Sequence, residues 1–249
     1  QGAFDPTVQP LVELWGFGLS KRSEVTDEDV QALMPHVGLS FERIDLNEVT
    51  EAKQYRFTTV RKRDPQTRID FNGIAQGMTV DLLAELLQSR GASDFMVEVG
   101  GEVRCGGKRS DGNPWRIAID RPIESEDGLD QRELQAIVGI TDAAICTSGN
   151  YRKFYEEDGV KRSHTISPFN GYPVQHGLLS ATVHAVNAST ADALATACMV
   201  WGPEEGQRFI ETYREANPFE RVEAYFISDG GTGEWETWQS AGWDDLLIR

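Results

Sequence analysis

Apolar positions along this chain come in short bursts whose period changes, and each period predicts an element. Leu11, Val12, Leu14, Trp15 and Phe17, with Phe4 before them, form an apolar patch broken by Gly16 and Gly18. Thr26 followed by Asp29 approximates a capping box, and Val30, Leu33 and Met34 continue at helical spacing. Residues 51–68 are polar and mixed in charge, which fits a strand or hairpin with exposed faces. Gly77 to Arg90 is the clearest helix, with Val80, Leu83, Ala84 and Leu87 on one face and Gly91 as its stop. Phe95–Val99 reads as a buried strand ending at Gly100 and Gly101, and Trp115–Ile119 alternates as a second strand. Residues 123–133 are acidic and predict a surface loop. Leu134–Ile140 and Ala143–Cys146 predict paired strands around a turn at Thr141 and Asp142. Leu179–Val186 is a further strand; Ser189 or Thr190 then caps a helix that runs to Trp201 and is closed by Gly202 and Pro203. A helix over Pro203–Arg214 and a strand over Val222–Ile227 follow, before a tail carrying Trp235, Trp238 and Trp243.

Strands therefore come in runs rather than in strict βαβ alternation, which predicts an α+β fold with antiparallel pairing. No repeat, low-complexity stretch or linker interrupts the chain, so residues 1–249 are expected to form one compact domain. The net charge of −16 argues against a nucleic-acid backbone binder and against charge-driven attachment to anionic lipid. No run approaches the ~18 apolar residues of a membrane-spanning helix. The opening, Gln1 to Pro6, reads like the interior of a domain, and a segment upstream of it is expected. Cys105, Cys146 and Cys198 are too few and too scattered for a disulfide framework; they are expected to be buried and do not fix the compartment.

Common nucleotide, zinc and hydrolase motifs are absent: there is no Walker loop, no G-x-G-x-x-G after a strand, no H-E-x-x-H and no G-x-S-x-G. Three stretches can carry chemistry. In the first, Ile69 to Gly77 runs into the predicted helix, and Gly73 and Gly77 allow close backbone approach to an anion at the helix start, or simply turn the chain from strand to helix. In the second, His164 lies among Ser163, Thr165 and Ser167, after Thr147-Ser148-Gly149; it is either a general base or a structural histidine. In the third, Asp192 and Thr196 stand one helical turn apart on a small, apolar helix. Two stacked oxygens suit a hard cation such as Mg²⁺, whereas an aspartate near a helix N-terminus also simply favours the helix dipole.

Taken in order, several short segments resemble the ApbE family, the FAD:protein FMN transferases. They are Ala3-Phe4-Asp5-Pro6-Thr7-Val8, Leu14 to Gly18, Asp70 to Gly77, Val99 to Glu102, Thr147-Ser148-Gly149, Ser163 to Ile166, Gly171-Tyr172-Pro173 and Ala191 to Thr196. The resemblance covers nearly the whole chain. It implies an α+β, T-fold-like architecture with mainly antiparallel strands and packed helices. It implies transfer of FMN from FAD to a threonine hydroxyl of a target protein, with Mg²⁺ present and AMP released. Targets in the family are subunits of sodium-pumping or electron-transfer membrane complexes. The resemblance also implies a location outside the cytoplasmic membrane, with a lipid anchor supplied by the expected upstream segment. By the same carry-over the carbonyl of Gly73 and the side chains of Asp192 and Thr196 hold Mg²⁺, and His164 takes the proton of the acceptor threonine. Ala3, Phe4, Asp5, Asp70, Gln76, Gly100, Gly101, Ser148 and Ile166 are the expected FAD contacts.

Two residues depart from the family pattern. Gln76 stands where many members carry lysine, and Ser167 stands where members usually carry aspartate. The first lowers local positive charge; the second removes a carboxylate and bears on hydrolysis. Two other functions share the same residues: FAD pyrophosphatase, with water as the acceptor, and flavin binding without turnover.

Overall fold

The computed structural model describes residues 2–19, 24–40, 42–52, 55–123, 133–151, 154–157, 159–231 and 234–248. Most of the predicted acidic loop at 123–133 lies outside the described residues. The chain divides into two compact units, residues 1–71 with 166–173, and residues 72–165 with 174–249.

In the first unit, helices α1 (Gln9–Leu14) and α2 (Asp27–Leu33) pack around a small cluster, and β1 (Ile44–Ala52) and β2 (Tyr55–Lys62) form an antiparallel hairpin. Leu11, Trp15, Val30, Val37 and Ile166 form its buried centre. The Trp15 indole donates to the carbonyl of Gly171 at 2.8 Å, so the apolar patch near the start is tied to the segment 166–173. The capping box at Thr26 and Asp29 forms as the spacing predicts.

The second unit is built on a six-stranded sheet of β3 (Phe95–Val99), β4 (Glu102–Gly106), β7 (Ala143–Gly149), β10 (Leu178–Ala185), β11 (Glu223–Asp229) and β12 (Trp235–Gln239), in the order β12-β11-β10-β7-β4-β3. Every neighbouring pair is antiparallel, as the runs of strands predict. Hairpins β5 (Trp115–Asp120) with β6 (Leu134–Ile140), and β8 (Phe154–Glu157) with β9 (Val160–Ser163), stand beside it. Helices α3 (Ala75–Ser89), α4 (Ala188–Trp201) and α5 (Pro203–Ala216) complete the unit.

Strand alternation sorts the core into two layers. Ala144 and Cys146 of β7 and Ala224 and Phe226 of β11 pack with Val80, Ala84, Ala191, Ala195 and Cys198 from the helices. Ile145, Tyr225 and Ile227, the alternate residues, pack with Val138, Ile140 and Trp243. At β11 both sheet faces are covered, which is why its centre, Ala224 to Ile227, is apolar without alternation. All three cysteines are buried and free.

Three expectations need correction. Leu134–Ile140 and Ala143–Gly149 are both strands but do not pair: the first pairs with β5 and the second with β4 and β10. Asp142, at φ 49°, turns the chain from one sheet to another instead of closing a hairpin. The α4 cap is Asn187, whose side chain accepts from the amide of Thr190 at 2.8 Å. An asparagine satisfies the orphan amides as well as the serine or threonine that follow, so the cap shifts toward the strand. Finally, α3 does not bury the stripe Val80, Leu83, Ala84 and Leu87. Its buried residues are Gly77, Val80, Asp81 and Ala84, whereas Leu83 and Leu87 are exposed. Small residues let α3 approach α4 closely, and that contact rotates the larger leucines outward.

Candidate functional site

The N-terminal ends of α3 and α4 meet in the second unit, and their sequences explain how. Gly77 has no side chain to keep α4 away: a Cβ there would lie 2.4 Å from the carbonyl oxygen of Ala188 and 2.9 Å from Cβ of Asp192. The glycine thus admits a neighbouring helix. Asp192 is buried, at 3% exposure, and its Oδ2 accepts from the amide of Gly77 at 3.0 Å. Among the described residues its Oδ1 has no hydrogen-bond partner. Burial raises the Asp192 pKa, and the Gly77 amide only partly offsets it.

Thr196 lies one turn further along α4, and its Oγ1 is 3.3 Å from the hydroxyl of Ser148 on β7. Gly73 occupies the turn over residues 72–74, one helical turn before Gly77. Two predicted cofactor contacts adjoin one another: the Gln76 amide packs over Gly100, where a Cβ would sit 2.1 Å from Nε2. Gly100, at φ +62°, also holds a backbone conformation that favours glycine. Gly101, at φ +105°, donates its amide to Glu98 at 3.0 Å.

Sequence reasoning gave no role to Glu102, which the structure singles out. It is 7% exposed, and its Oε2 is buried without a hydrogen-bond partner. Burial first, and the charge of Asp192 second, push its carboxyl up to about 7. Buried polar atoms are overwhelmingly paired, so an orphan carboxylate oxygen beside a half-used one marks a place built for something other than stability. The available signal was an acidic residue opening the apolar strand Glu102-Val103-Arg104-Cys105.

These donors fit a hard divalent cation. They are carboxylates, hydroxyls and a carbonyl, with none of the soft ligands of a zinc or copper site. Among the described residues no three His, Cys, Asp or Glu converge as a metal cluster. A cation here would therefore complete its shell with ligand oxygens and water.

His164 follows the last residue of β9 and is half-buried. Its neighbour Thr165 donates to Asn150 Oδ1 at 2.6 Å and accepts the Val174 amide at 3.0 Å through its carbonyl, which fixes the backbone on one side of the histidine.

The remaining predicted contacts belong to the first unit. Ala3 is buried and Phe4 half-buried. Asp5 Oδ1 accepts from the amide and hydroxyl of Thr7 at 2.8 and 2.6 Å, and Oδ2 accepts from the Leu39 amide at 2.9 Å. Both oxygens of Asp5 thus hold the turn at residues 5–8 against the segment at 39. Asp70 donates its amide to the Pro6 carbonyl at 2.7 Å. Ile166 forms an antiparallel bridge with Pro173 and is itself buried in the small cluster of the first unit.

Comparison with known proteins gives a consistent result. Residues 1–220 match the model of the ApbE family. The FAD:protein FMN transferase of Vibrio cholerae is 43% identical over 213 residues, covering 85% of this chain and 59% of that protein. The Escherichia coli K12 protein of the same name is 34% identical over 249 residues, covering 99% of this chain and 65% of its own length. The chain thus spans about three fifths of the length of these curated relatives. The solved structure of the flavin transferase ApbE from Vibrio cholerae superposes with a TM-score of 0.78 at 36% identity, covering 99% of this chain and 71% of that one. The Thermotoga maritima ApbE structure gives 0.80 at 26% identity, covering 100% of this chain and 73% of that one.

Proposed function

This chain belongs to the ApbE family, and from that premise we propose that it transfers FMN from FAD to a threonine hydroxyl of an acceptor protein, with Mg²⁺ bound and AMP released. The observation that supports this reading most directly is the Asp192 carboxylate, buried and only half hydrogen-bonded, with the Thr196 hydroxyl one turn along the same helix and the Ser148 hydroxyl of β7 beside it. Asp192 Oδ1, Thr196 Oγ1 and the carbonyl of Gly73 would hold the cation. When bound, Mg²⁺ neutralises pyrophosphate charge and steadies the departing phosphate.

The chemistry asked of the chain itself is modest. His164 accepts the proton of the threonine hydroxyl as that oxygen bonds to the flavin-side phosphorus. The bond from that phosphorus to the bridging oxygen breaks, and the bridging oxygen leaves with AMP. Gln76, packed over Gly100, presents an uncharged amide rather than a second cation, so charge neutralisation falls on the metal. The acceptor belongs to a sodium-pumping or electron-transfer membrane complex, and the enzyme works outside the cytoplasmic membrane. Fractionation of cells expressing the native gene checks that location.

The decisive assay incubates the protein with FAD, Mg²⁺ and a threonine-containing acceptor domain. Intact mass spectrometry should show one FMN added per acceptor, with equimolar AMP. Release of FMN and AMP with the acceptor unchanged replaces transfer by FAD hydrolysis. Bound FAD with no AMP leaves a flavin carrier.

A further inference from the structure

Asp81 lies on the buried face of α3, between Val80 and Ala84, where an aspartate is costly unless fully partnered. It is fully partnered, and its partners are the first residues of α4. Oδ1 accepts from the Ala188 amide at 2.9 Å, and Oδ2 from the Ser189 amide at 2.9 Å and from the Ser189 hydroxyl. Arg104 of β4 adds a charge-assisted bond to Oδ1 at 2.8 Å. Together with Asn187, which takes the Thr190 amide through its side chain, this accounts for the first three amides of α4. Those are the donors a helix leaves unsatisfied at its start. Burial raises the Asp81 pKa, but the Ser189 and Ala188 bonds and the Arg104 charge outweigh it, so the carboxyl is held below the usual range.

The reverse bond runs the other way. Asp192 of α4 accepts the third amide of α3, that of Gly77. Each helix therefore supplies a carboxylate that caps the other. Two such bonds, at different points along a close helix contact, fix both the separation and the rotation of α4. Asp192 begins one turn after Ala188, so its orientation follows directly from that anchor.

We propose that Asp81, braced by Arg104, is a positioning residue that sets the orientation of Asp192 and so leaves Oδ1 facing the cation. This rests on the reading of Asp192 as a cation ligand. It implies that α4 cannot keep the Gly77 bond without the Asp81 anchor, even though neither Asp81 nor Arg104 needs to touch metal or flavin.

The test compares wild type with Asp81→Asn by amide hydrogen exchange and by electron paramagnetic resonance of added Mn²⁺. Exchange at Gly77 should accelerate at least tenfold relative to the amides of Val183 and Phe226 in the sheet, and Mn²⁺ affinity should fall at least tenfold. Acceleration of all three amides together identifies a merely structural aspartate and overturns the proposal. So does an unchanged Gly77 amide, or accelerated Gly77 exchange with unchanged Mn²⁺ affinity. Should Asp81→Asn fail to fold, Ser189→Ala removes one hydroxyl bond from the same anchor and should show the same selectivity at about threefold; no selectivity there overturns the proposal. Exchange at Gly77 needs neither metal nor flavin, so its outcome is independent of whether FMN is transferred. Wild type that binds no Mn²⁺ strikes instead at Asp192 as a ligand.

Discussion

The two helix-facing positions at the start of β4 have opposite fates. Arg104 meets Asp81, and every oxygen of that aspartate is used; Glu102, two residues earlier on the same side of the strand, keeps an oxygen with no partner. One end of the contact between α3 and α4 is thus electrostatically closed, and the other is open. Two of the acids make the difference plain. Asp81 is held below the ordinary carboxylate range, while Glu102 is pushed well above it, although both are buried. What decides the direction is the supply of donors, not depth. The closed end does the work of a cap and a brace. The open end gathers Asp192, Glu102, Ser148 and Thr196, oxygen-rich groups that among the described residues have no positive partner.

Removing the ligand at the open end should have the largest effect. Asp192→Ala should abolish Mg²⁺-dependent AMP release from FAD while circular dichroism stays native, because alanine suits a helix and fills little of the space. Retained turnover with wild-type Mg²⁺ dependence would sink the metal assignment. His164→Ala should slow transfer to threonine by ~10²–10⁴, the usual contribution of a general base, with FAD affinity little changed. Equal losses in rate and in affinity, measured by flavin fluorescence titration and AMP release, would make His164 a binding residue.

The comparison can also be broken from the backbone. Gly77→Ala places a methyl group against the Ala188 carbonyl, where nothing flexible can yield. Overpacking of this kind costs about 3 kcal/mol, and here it also pulls Asp192 from the Gly77 amide. Urea unfolding should show the loss; stability within about 0.5 kcal/mol of wild type, the range of neutral surface changes, would mean the two helices separate easily.

Much of this was legible in the chain. Strand positions and the antiparallel α+β class follow from period-two runs, and α4 and α5 from their spacing and the Gly202 stop. The pairing of β6 was not legible, because a two-residue turn such as Thr141-Asp142 joins hairpins and also passes between sheets. The buried face of α3 was not legible either. Leucines at helical spacing outweigh a glycine and an aspartate in any hydrophobic count, yet Gly77 and Asp81 fix the contact. Asp192 and Thr196 stood out by their spacing. Glu102 did not, since a single acid at a strand start becomes informative only when the surrounding donors are known to be missing.

The smallest effect sharpens the contrast most. Glu102→Gln keeps shape and removes the charge at the open end. In wild type, burial raises the folded pKa from its ordinary 4.5 to about 7. A raised acid binds its proton more tightly in the folded state, so its contribution to stability is full below about pH 4.5 and is lost as pH climbs through about 7. The shift caps that loss at ~3 kcal/mol by the conversion of 1.36 kcal/mol per unit. Glutamine carries no such linkage. The variant should therefore match wild type at pH 5 and exceed it by about 1–2 kcal/mol at pH 8 in chelator-containing buffer, where no cation offsets the buried charge. The measurement is urea unfolding at both pH values. A difference that is equal at pH 5 and pH 8 would mean that Glu102 finds a partner when it ionises, and the open end would then be as closed as the end that Arg104 holds.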